Sequence, residues 1–138
     1  MFGQAGFGRT LDILHRTMDA NMLRQSVIAN NIANADTPGF KRSDVNFESA
    51  MRRALESEQY EPFPQRITHE NHIPFHRPID YRGVEPRRNL DFTTSNKNNG
   101  NNVDIEVESV NLLNSQLSYQ MLTENVNSEF RRLNIVLR

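Results

Sequence analysis

The central part of the chain holds three histidines whose spacing could support metal chemistry. His69 and His72 are three residues apart, and His76 follows four residues later. On a helix, these spacings would direct the imidazoles towards one metal ion. However, Pro74 interrupts the segment, no apolar helical face supports it, and the metalloprotease pattern H-E-x-x-H is missed by one residue. We therefore favour a structural or solvated role, with a small metal-dependent hydrolase as the weaker alternative.

The charged residues suggest no stronger catalytic set. Asp104, Glu106 and Glu108 occupy alternate positions, which do not face each other on a helix, so we interpret them as charges that compensate the helix dipole. Three arginine pairs could grip phosphate, but they are scattered and balanced by acids, which favours ordinary surface or intersubunit pairing: Arg52-Arg53, Arg87-Arg88 and Arg131-Arg132. The six glycines never take the spacing of a phosphate loop. We predict no catalytic residue, no metal, no cofactor and no enzymatic activity.

The composition limits the kind of protein that this chain can be. Of its 138 residues 36% are apolar, below the roughly 45–50% of ordinary globular domains, so we expect a partner to complete its core. The net charge of -1 argues against a nucleic-acid binder. The absence of cysteine excludes disulfides and thiolate metal sites. The first residues lack the basic and apolar regions of a Sec signal peptide, so export would need another route.

Apolar periodicity predicts a first helix over residues 9–34. Its stripe recurs at steps of three and four and consists of Leu11, Leu14, Met18, Ile28 and Ile32. Asn21 and Gln25 occupy the intervening positions of this stripe, as buried polar residues do where they set the register of a coiled coil. The helix must end near Pro38, and Gly39 then suits the positive φ of a type II turn.

The next part of the chain predicts only short elements. Ser43 could cap a short helix that carries Phe47, Met51 and Leu55 on one face. Helical periodicity disappears over residues 59–102, where five of the six prolines lie. Short strands are predicted around residues 79–84 and 90–94. The polar stretch 96–102 is predicted to be a mobile linker.

A long second helix of about 30 residues is predicted from Val103 onwards, with Asn102 as its N-cap. It carries two apolar stripes on different sides. The first stripe is formed by Val103, Val107, Val110, Leu113, Leu117 and Met121. The second stripe is formed by Leu112, Tyr119, Leu122, Val126, Phe130, Leu133 and Leu137. Two stripes require neighbours on more than one side, so we expect the first helix to cover one and other subunits to cover the rest.

These elements predict a mainly α protein in which the long N- and C-terminal helices pair as a coiled-coil-like hairpin. A short helix and an irregular middle, partly β or disordered, separate them. The predicted divisions are an N-terminal helical segment 1–58, an irregular middle 59–102 and a C-terminal helix 103–138, whose two ends form one structural domain.

The end of the first helix is rich in asparagine. A helix stop explains Pro38 and Gly39, but it does not explain Asn30, Asn31 and Asn34. Amides and small residues there favour a packing junction that another chain can approach closely. The run resembles the signature N-N-x-A-N-x-x-T-P-G-[FY]-[KR] of the flagellar rod, hook and hook-associated axial family. The matching residues are Asn30, Asn31, Ala33, Asn34, Thr37, Pro38, Gly39, Phe40 and Lys41.

Three further segments resemble the proximal-rod members of that family. They are Asp44-Val45-Asn46-Phe47, the run from Gly100 to Asp104 with the acidic helix start after it, and Leu117-Ser118-Tyr119-Gln120. The resemblance covers both termini, about half of the chain. Hook and distal-rod proteins insert larger domains, so the short middle also favours the proximal rod.

This resemblance implies a structural subunit that assembles helically into a hollow shaft, which transmits torque and passes exported subunits. Its expected partners are copies of itself, other proximal-rod proteins, and an adaptor at the rod base near the inner-membrane ring and export gate, with no nucleic acid and no small-molecule substrate. It would cross the flagellar type III apparatus without a cleaved signal peptide and assemble in the periplasm. The alternative is a generic coiled-coil interaction protein or an export chaperone.

The resemblance and the stripes together predict an assembly interface. Its residues are Leu11, Leu14, Met18, Ile28, Asn30, Asn31, Ile32, Asn34, Thr37, Pro38, Gly39, Phe40, Val107, Val110, Leu117, Tyr119, Met121, Leu122, Val126, Phe130 and Leu133.

Overall fold

The computed structural model describes residues 2–59, 66, 68–72, 78–92 and 100–137, with side chains from residue 6 onwards. The elements in chain order are α1 (Phe2–Ala33), β1 (Ser43–Asn46), α2 (Glu48–Gln59), a 3-10 helix (Tyr81–Gly83), β2 (Arg87–Leu90) and α3 (Ile105–Val136). The two long terminal helices pack on each other, and β1 and β2 form a two-stranded sheet. The predicted fold class is confirmed.

Helices α1 and α3 form an antiparallel hairpin. The ring of Phe7 meets the edge of Phe130 with centroids 5.9 Å apart. Further along α1, Asn21 Oδ1 accepts a hydrogen bond of 3.2 Å from Ser115 Oγ. Nearer its end, Asn31 Nδ2 donates to a carboxylate oxygen of α3. The partners on α3 run backwards as α1 advances, which defines the antiparallel direction.

The helix ends differ from the predicted ones for local reasons. Helix α1 begins at Phe2 rather than at residue 9. The sequence did not predict this first part of the helix, because Gly6 and Gly8 have low helix propensity. Helix α3 begins at Ile105, and Asp104 rather than Asn102 is its N-cap. The Asp104 carboxylate accepts hydrogen bonds from the backbone of the first helical turn, including one of 2.9 Å from Glu106 N.

The turn after α1 agrees with the prediction. Phe40 N donates to Thr37 O over 3.2 Å, so the intervening Pro38 and Gly39 take the two central positions of a β-turn. Gly39 has φ of 74°, as a type II turn requires. Gly100, near the end of the irregular middle and shortly before α3, also has a positive φ, of 77°.

Two predictions for short elements are wrong. Ser43 does not cap a helix but opens β1, and α2 starts at Glu48, because a side chain of α1 holds the backbone of Ser43 extended. Residues 79–84 form no strand, since Asp80 accepts from Arg82 N over 2.9 Å and caps the 3-10 helix instead. The predicted strand 90–94 overlaps β2 at Leu90 only, and residues 93 and 94 lie outside the described part.

The chain divides into two compact units. The first combines residues 1–45 with 88–138, and the second comprises residues 46–87. In the first unit the buried apolar side chains are Ala20, Val27, Ile28, Ala35, Val45 and Val103. In the second unit they are Phe47, Met51, Ala54, Tyr81 and Val84. Within the second unit, Ser57 Oγ accepts from Ile79 N over 2.9 Å and ties α2 to the segment before the 3-10 helix.

Among the described helices, none is long and apolar enough to cross a membrane.

Candidate assembly interface

The second apolar stripe of α3 lies on the side that contacts α1. Glu108 and Ser115 are buried on this side, and each is bonded to an asparagine of α1. The stripe residues at the same helical phase are half-buried: Leu112, Tyr119, Leu122, Val126 and Leu133. Phe130 contacts Phe7 but keeps 47% of its surface exposed. The hairpin therefore covers this stripe in part.

The first stripe of α3 faces solvent. Its exposed fractions are 52% for Val107, 58% for Val110, 56% for Leu113, 46% for Leu117 and 67% for Met121. We call these five residues the exposed stripe. They recur at steps of three and four over about 21 Å of helix. Val103, which the sequence placed at the head of this stripe, lies before the helix and is completely buried.

The buried face of α1 is rotated from the predicted stripe. Only Ile28 of that stripe is buried, whereas Leu11, Leu14, Met18 and Ile32 are half-buried. The buried positions are Ala20, Asn21, Val27, Ile28 and Asn31. Because small and amide side chains fill much of this face, a pattern of large apolar residues could not locate it. Asn21 interrupts the buried seam as predicted, while Gln25 is only half-buried.

The side-chain amide of Asn31 forms its hydrogen bonds within the chain. Its Nδ2 donates to Ser43 O over 2.8 Å, and its Oδ1 accepts from Ser43 N over 3.0 Å. Nδ2 also donates to Glu108 Oε2 over 3.0 Å. The amide thus pairs with Ser43 as a neighbouring strand would, and it links α1 to both β1 and α3.

The buried Glu108 forms an ion pair with the half-buried Arg42. Arg42 Nε lies 2.6 Å from Glu108 Oε1, and Glu108 is 1% exposed. The hydrogen bond to Glu108 raises the pKa of Arg42 above its ordinary value, against the opposing effect of burial. The sequence suggested only dipole compensation for Glu108. No local pattern in the sequence marked the inward position of Glu108, which follows from the packing of α3 on α1.

Asn101 and Asn102 bind the segment that follows α1. Asn101 Nδ2 donates to Ala35 O over 2.6 Å, so it satisfies a carbonyl beyond the helix end. Asn102 Oδ1 accepts from Arg42 N over 2.6 Å, and its Nδ2 donates to Asp91 O over 2.9 Å. Residues 100–102 therefore do not belong to a mobile linker as predicted, because their amides and the carbonyl of Gly100, which accepts from Lys41, hold them in place.

The remaining signature residues are more accessible. Asn30, Thr37, Pro38 and Gly39 are exposed, and Asn34 and Phe40 are half-buried. Asn34 Nδ2 donates to Asn30 O over 2.8 Å. Within the signature, Asn31 is buried and Lys41 bonds Gly100, while other members surround an exposed turn.

The histidine segment shows no metal centre in the described part. His69 and His72 are exposed, and their rings are 6.0 Å apart at the centroids. His76 and Pro74 lie outside the described residues. Among the residues that the structure describes, no three His, Cys, Asp or Glu side chains come close enough to share a metal ion.

Comparison with known proteins places these features in a family. The model of the flagella basal body rod protein family matches residues 11–41, which include the asparagine-rich signature. The flagellar basal body rod protein FlgB of Borrelia hermsii is 40% identical over 132 residues, which are 96% of this chain and 98% of the relative. FlgB of Borreliella burgdorferi shows the same identity and coverage. FlgB of Bacillus subtilis is 32% identical over 133 residues, 95% of either chain.

Proposed function

The chain belongs to the FlgB family of flagellar basal body rod proteins, and from this membership we propose how its two helices build the rod. It is a structural subunit of the proximal rod. The proposal is that the exposed stripe of α3 is the main surface on which neighbouring subunits pack.

The observation that carries the proposal is the contrast between the two sides of α3. One side is partly covered by α1, while the other shows five large apolar side chains to water. Removing such a side chain from water returns roughly 1.5–3 kcal/mol. Anchors at steps of three and four are the pattern by which one helix docks on another. A subunit that must polymerise has a direct use for this surface.

The other predicted interface residues supply secondary contacts in the proposal. Leu11, Leu14, Met18 and Ile32 keep part of their surface accessible on α1, and the turn at Thr37–Phe40 is largely exposed. A contact between two different surfaces, repeated from copy to copy, generates a helical tube. Many such contacts in parallel would bear the torque.

We further propose that the partners are copies of this chain, other proximal-rod proteins and the adaptor at the rod base near the export gate. The rod would stand in the periplasm, and the chain would reach it through the flagellar type III apparatus. No enzymatic role is proposed. The alternative, a generic coiled-coil protein or an export chaperone, is not favoured, because the relatives over nearly the full chain are rod proteins.

Leu117→Asp tests the proposal, because Leu117 lies within the exposed stripe. A charge there faces water in the free subunit and would be buried at the interface. The variant should keep its helix content, and its incorporation into isolated basal bodies should fall about tenfold or more, the equivalent of one lost apolar anchor.

The matched control is Gln116→Asp, on the neighbouring exposed position outside the stripe. This variant should assemble and support motility as the parent does. If Leu117→Asp also builds basal bodies in normal numbers, another surface joins the subunits and the proposal fails.

A further inference from the structure

A cluster of three polar side chains, two of them buried and one half-buried, joins three separate segments of the first unit. Asn31 lies on α1, Arg42 directly before β1, and Glu108 on α3. Arg42 and Glu108 are 66 positions apart in the sequence, and Asn31 and Glu108 are 77 apart. We call these three residues the clasp.

The clasp accepts one geometry only. Each carboxylate oxygen of Glu108 has its own donor, Arg42 for Oε1 and Asn31 for Oε2. The amide of Asn31 also bonds both backbone groups of Ser43. If α3 slid along α1 by one turn, about 5.4 Å, these bonds would break and a buried charge would lose its partner, which is costly.

The rest of the hairpin contact is less selective. Apolar contacts are not directional. After a shift of one turn, the half-buried leucines and valines of α3 could therefore make similar contacts with other side chains of α1. Asn21 and Ser115 form a second polar contact, but it is a single neutral hydrogen bond of 3.2 Å. The charged cluster is therefore the strongest discriminator between the observed register and a shifted one.

We propose that Asn31, Arg42 and Glu108 are positioning residues that fix the register of α3 on α1, and thereby the place of the exposed stripe relative to α1. The inference rests on the proposed function, since register matters most to a neighbour that contacts both helices. Buried ion pairs contribute little net stability compared with apolar replacements, and their best-attested use is to specify register. The clasp accordingly serves specificity of assembly more than stability.

The absence of cysteine from the chain allows a direct register measurement on the full-length protein. Phe7→Cys is combined in turn with Phe130→Cys, which reports the observed register, and with Val126→Cys or Asn134→Cys, which report shifts of one turn. With the clasp intact, the pair at 7 and 130 should give most of the cross-linked product obtained with a short thiol reagent.

The clasp is then removed by Arg42→Met with Glu108→Met, which takes away both charges together and leaves Asn31 bonded to Ser43. The preference for the pair at 7 and 130 should fall about tenfold, the product at 126 or 134 should rise, and helix content should hold. Incorporation of this variant, without the added cysteines, into basal bodies should fall to a similar extent. Arg42→Lys, which keeps a cationic donor for Glu108, should retain both register and assembly.

A matched control is Arg52→Met with Glu56→Met, two exposed residues of opposite charge four positions apart on α2, which should change neither readout. If the double Met variant does not fold, Glu108→Gln keeps the shape and drops the charge, and its register preference should still fall several-fold. An unchanged cross-linking pattern overturns the inference, as does loss of register with normal rods. Neither of these two results depends on whether Leu117→Asp assembles. The register inference and the proposed function can therefore fail independently.

Discussion

Ser43 shows how tightly the junction after α1 is built around one asparagine. Its backbone N–H and carbonyl are both bonded to Asn31. Its side-chain Oγ is buried, and it finds no hydrogen-bond partner among the described residues. A buried hydroxyl without a partner loses its hydration, at a cost of about 1–3 kcal/mol. The hydroxyl therefore contributes nothing favourable here, although the backbone of the same residue is indispensable.

Ser43→Ala should therefore leave the free energy of unfolding unchanged or raise it by about 1 kcal/mol. Asn31→Ala should lower it by roughly 2–4 kcal/mol, because it leaves the Ser43 backbone and one Glu108 oxygen without partners. Urea denaturation followed by circular dichroism measures both. A clear loss of stability in Ser43→Ala would mean that the hydroxyl has a partner after all.

At the level of single residues, the sequence marked some of the buried asparagines but not their partners. Asn21 stood out as an amide on the apolar stripe and Asn31 as part of the asparagine-rich helix end, and both are buried, as are Asn101 and Asn102 of the predicted linker. The pairing of Glu108 with Arg42 spans 66 positions, so it follows from how the helices pack and not from any local pattern. The exposed stripe was easier to find, because its period is local, although the sequence did not show which of the two stripes α1 would cover.

Two turns, one after α1 and one before α3, depend on backbone freedom. Gly39 and Gly100 have φ of 74° and 77°. A Cβ at either position would meet nothing within 4 Å, so any cost of a side chain there comes from the backbone and not from crowding. Such a left-handed conformation costs a non-glycine residue about 1–2 kcal/mol.

Gly39→Ala should consequently lower the free energy of unfolding by about 1–2 kcal/mol. Gly83→Ala is the matched control, since Gly83 also has open space at Cβ but no positive φ. It should change the melting temperature little. Equal effects of the two substitutions in thermal denaturation would contradict the turn geometry.

Among the elements, the long helices and the short helix α2 were predictable from the sequence, whereas β1 and the 3-10 helix were not. Helices of 32 residues repeat their apolar period many times, so local errors at the ends do not hide them. Strand β1 has only four residues, and it is held by a side chain of α1. The 3-10 helix depends on the cap of Asp80. Both elements follow from single contacts that carry no periodic signal.

At the scale of the whole molecule, the hairpin is unevenly packed, because the side chains of α3 become less buried towards its C-terminus. Glu108 and Ser115 are its buried residues, and none of the described residues after Ser115 is buried. Ile135, Val136 and Leu137 are 76%, 82% and 74% exposed. Ordering each residue costs about 1–2 kcal/mol of backbone entropy, which this part of the helix recovers poorly in a single subunit.

Hydrogen exchange should report this gradient. In the dilute subunit, amides around residues 108–115 should be protected, and those of residues 120–137 should exchange fast. In assembled rods, both parts should be protected, because neighbouring subunits cover the exposed stripe and the C-terminal turns. Uniform protection of α3 in the isolated subunit would show that assembly adds no order to it.

The clasp also has a consequence for the rate at which the chain folds. Its closing contact joins residues 77 positions apart in the sequence, and forming contacts between distant parts of the chain slows folding. The entropy of closing a loop of that size is about 4 kcal/mol by the logarithmic rule. The pairing of α1 with α3 must therefore wait for the C-terminal third of the chain. Until that third is available, the face of α1 that contacts α3 has no cover from its partner helix.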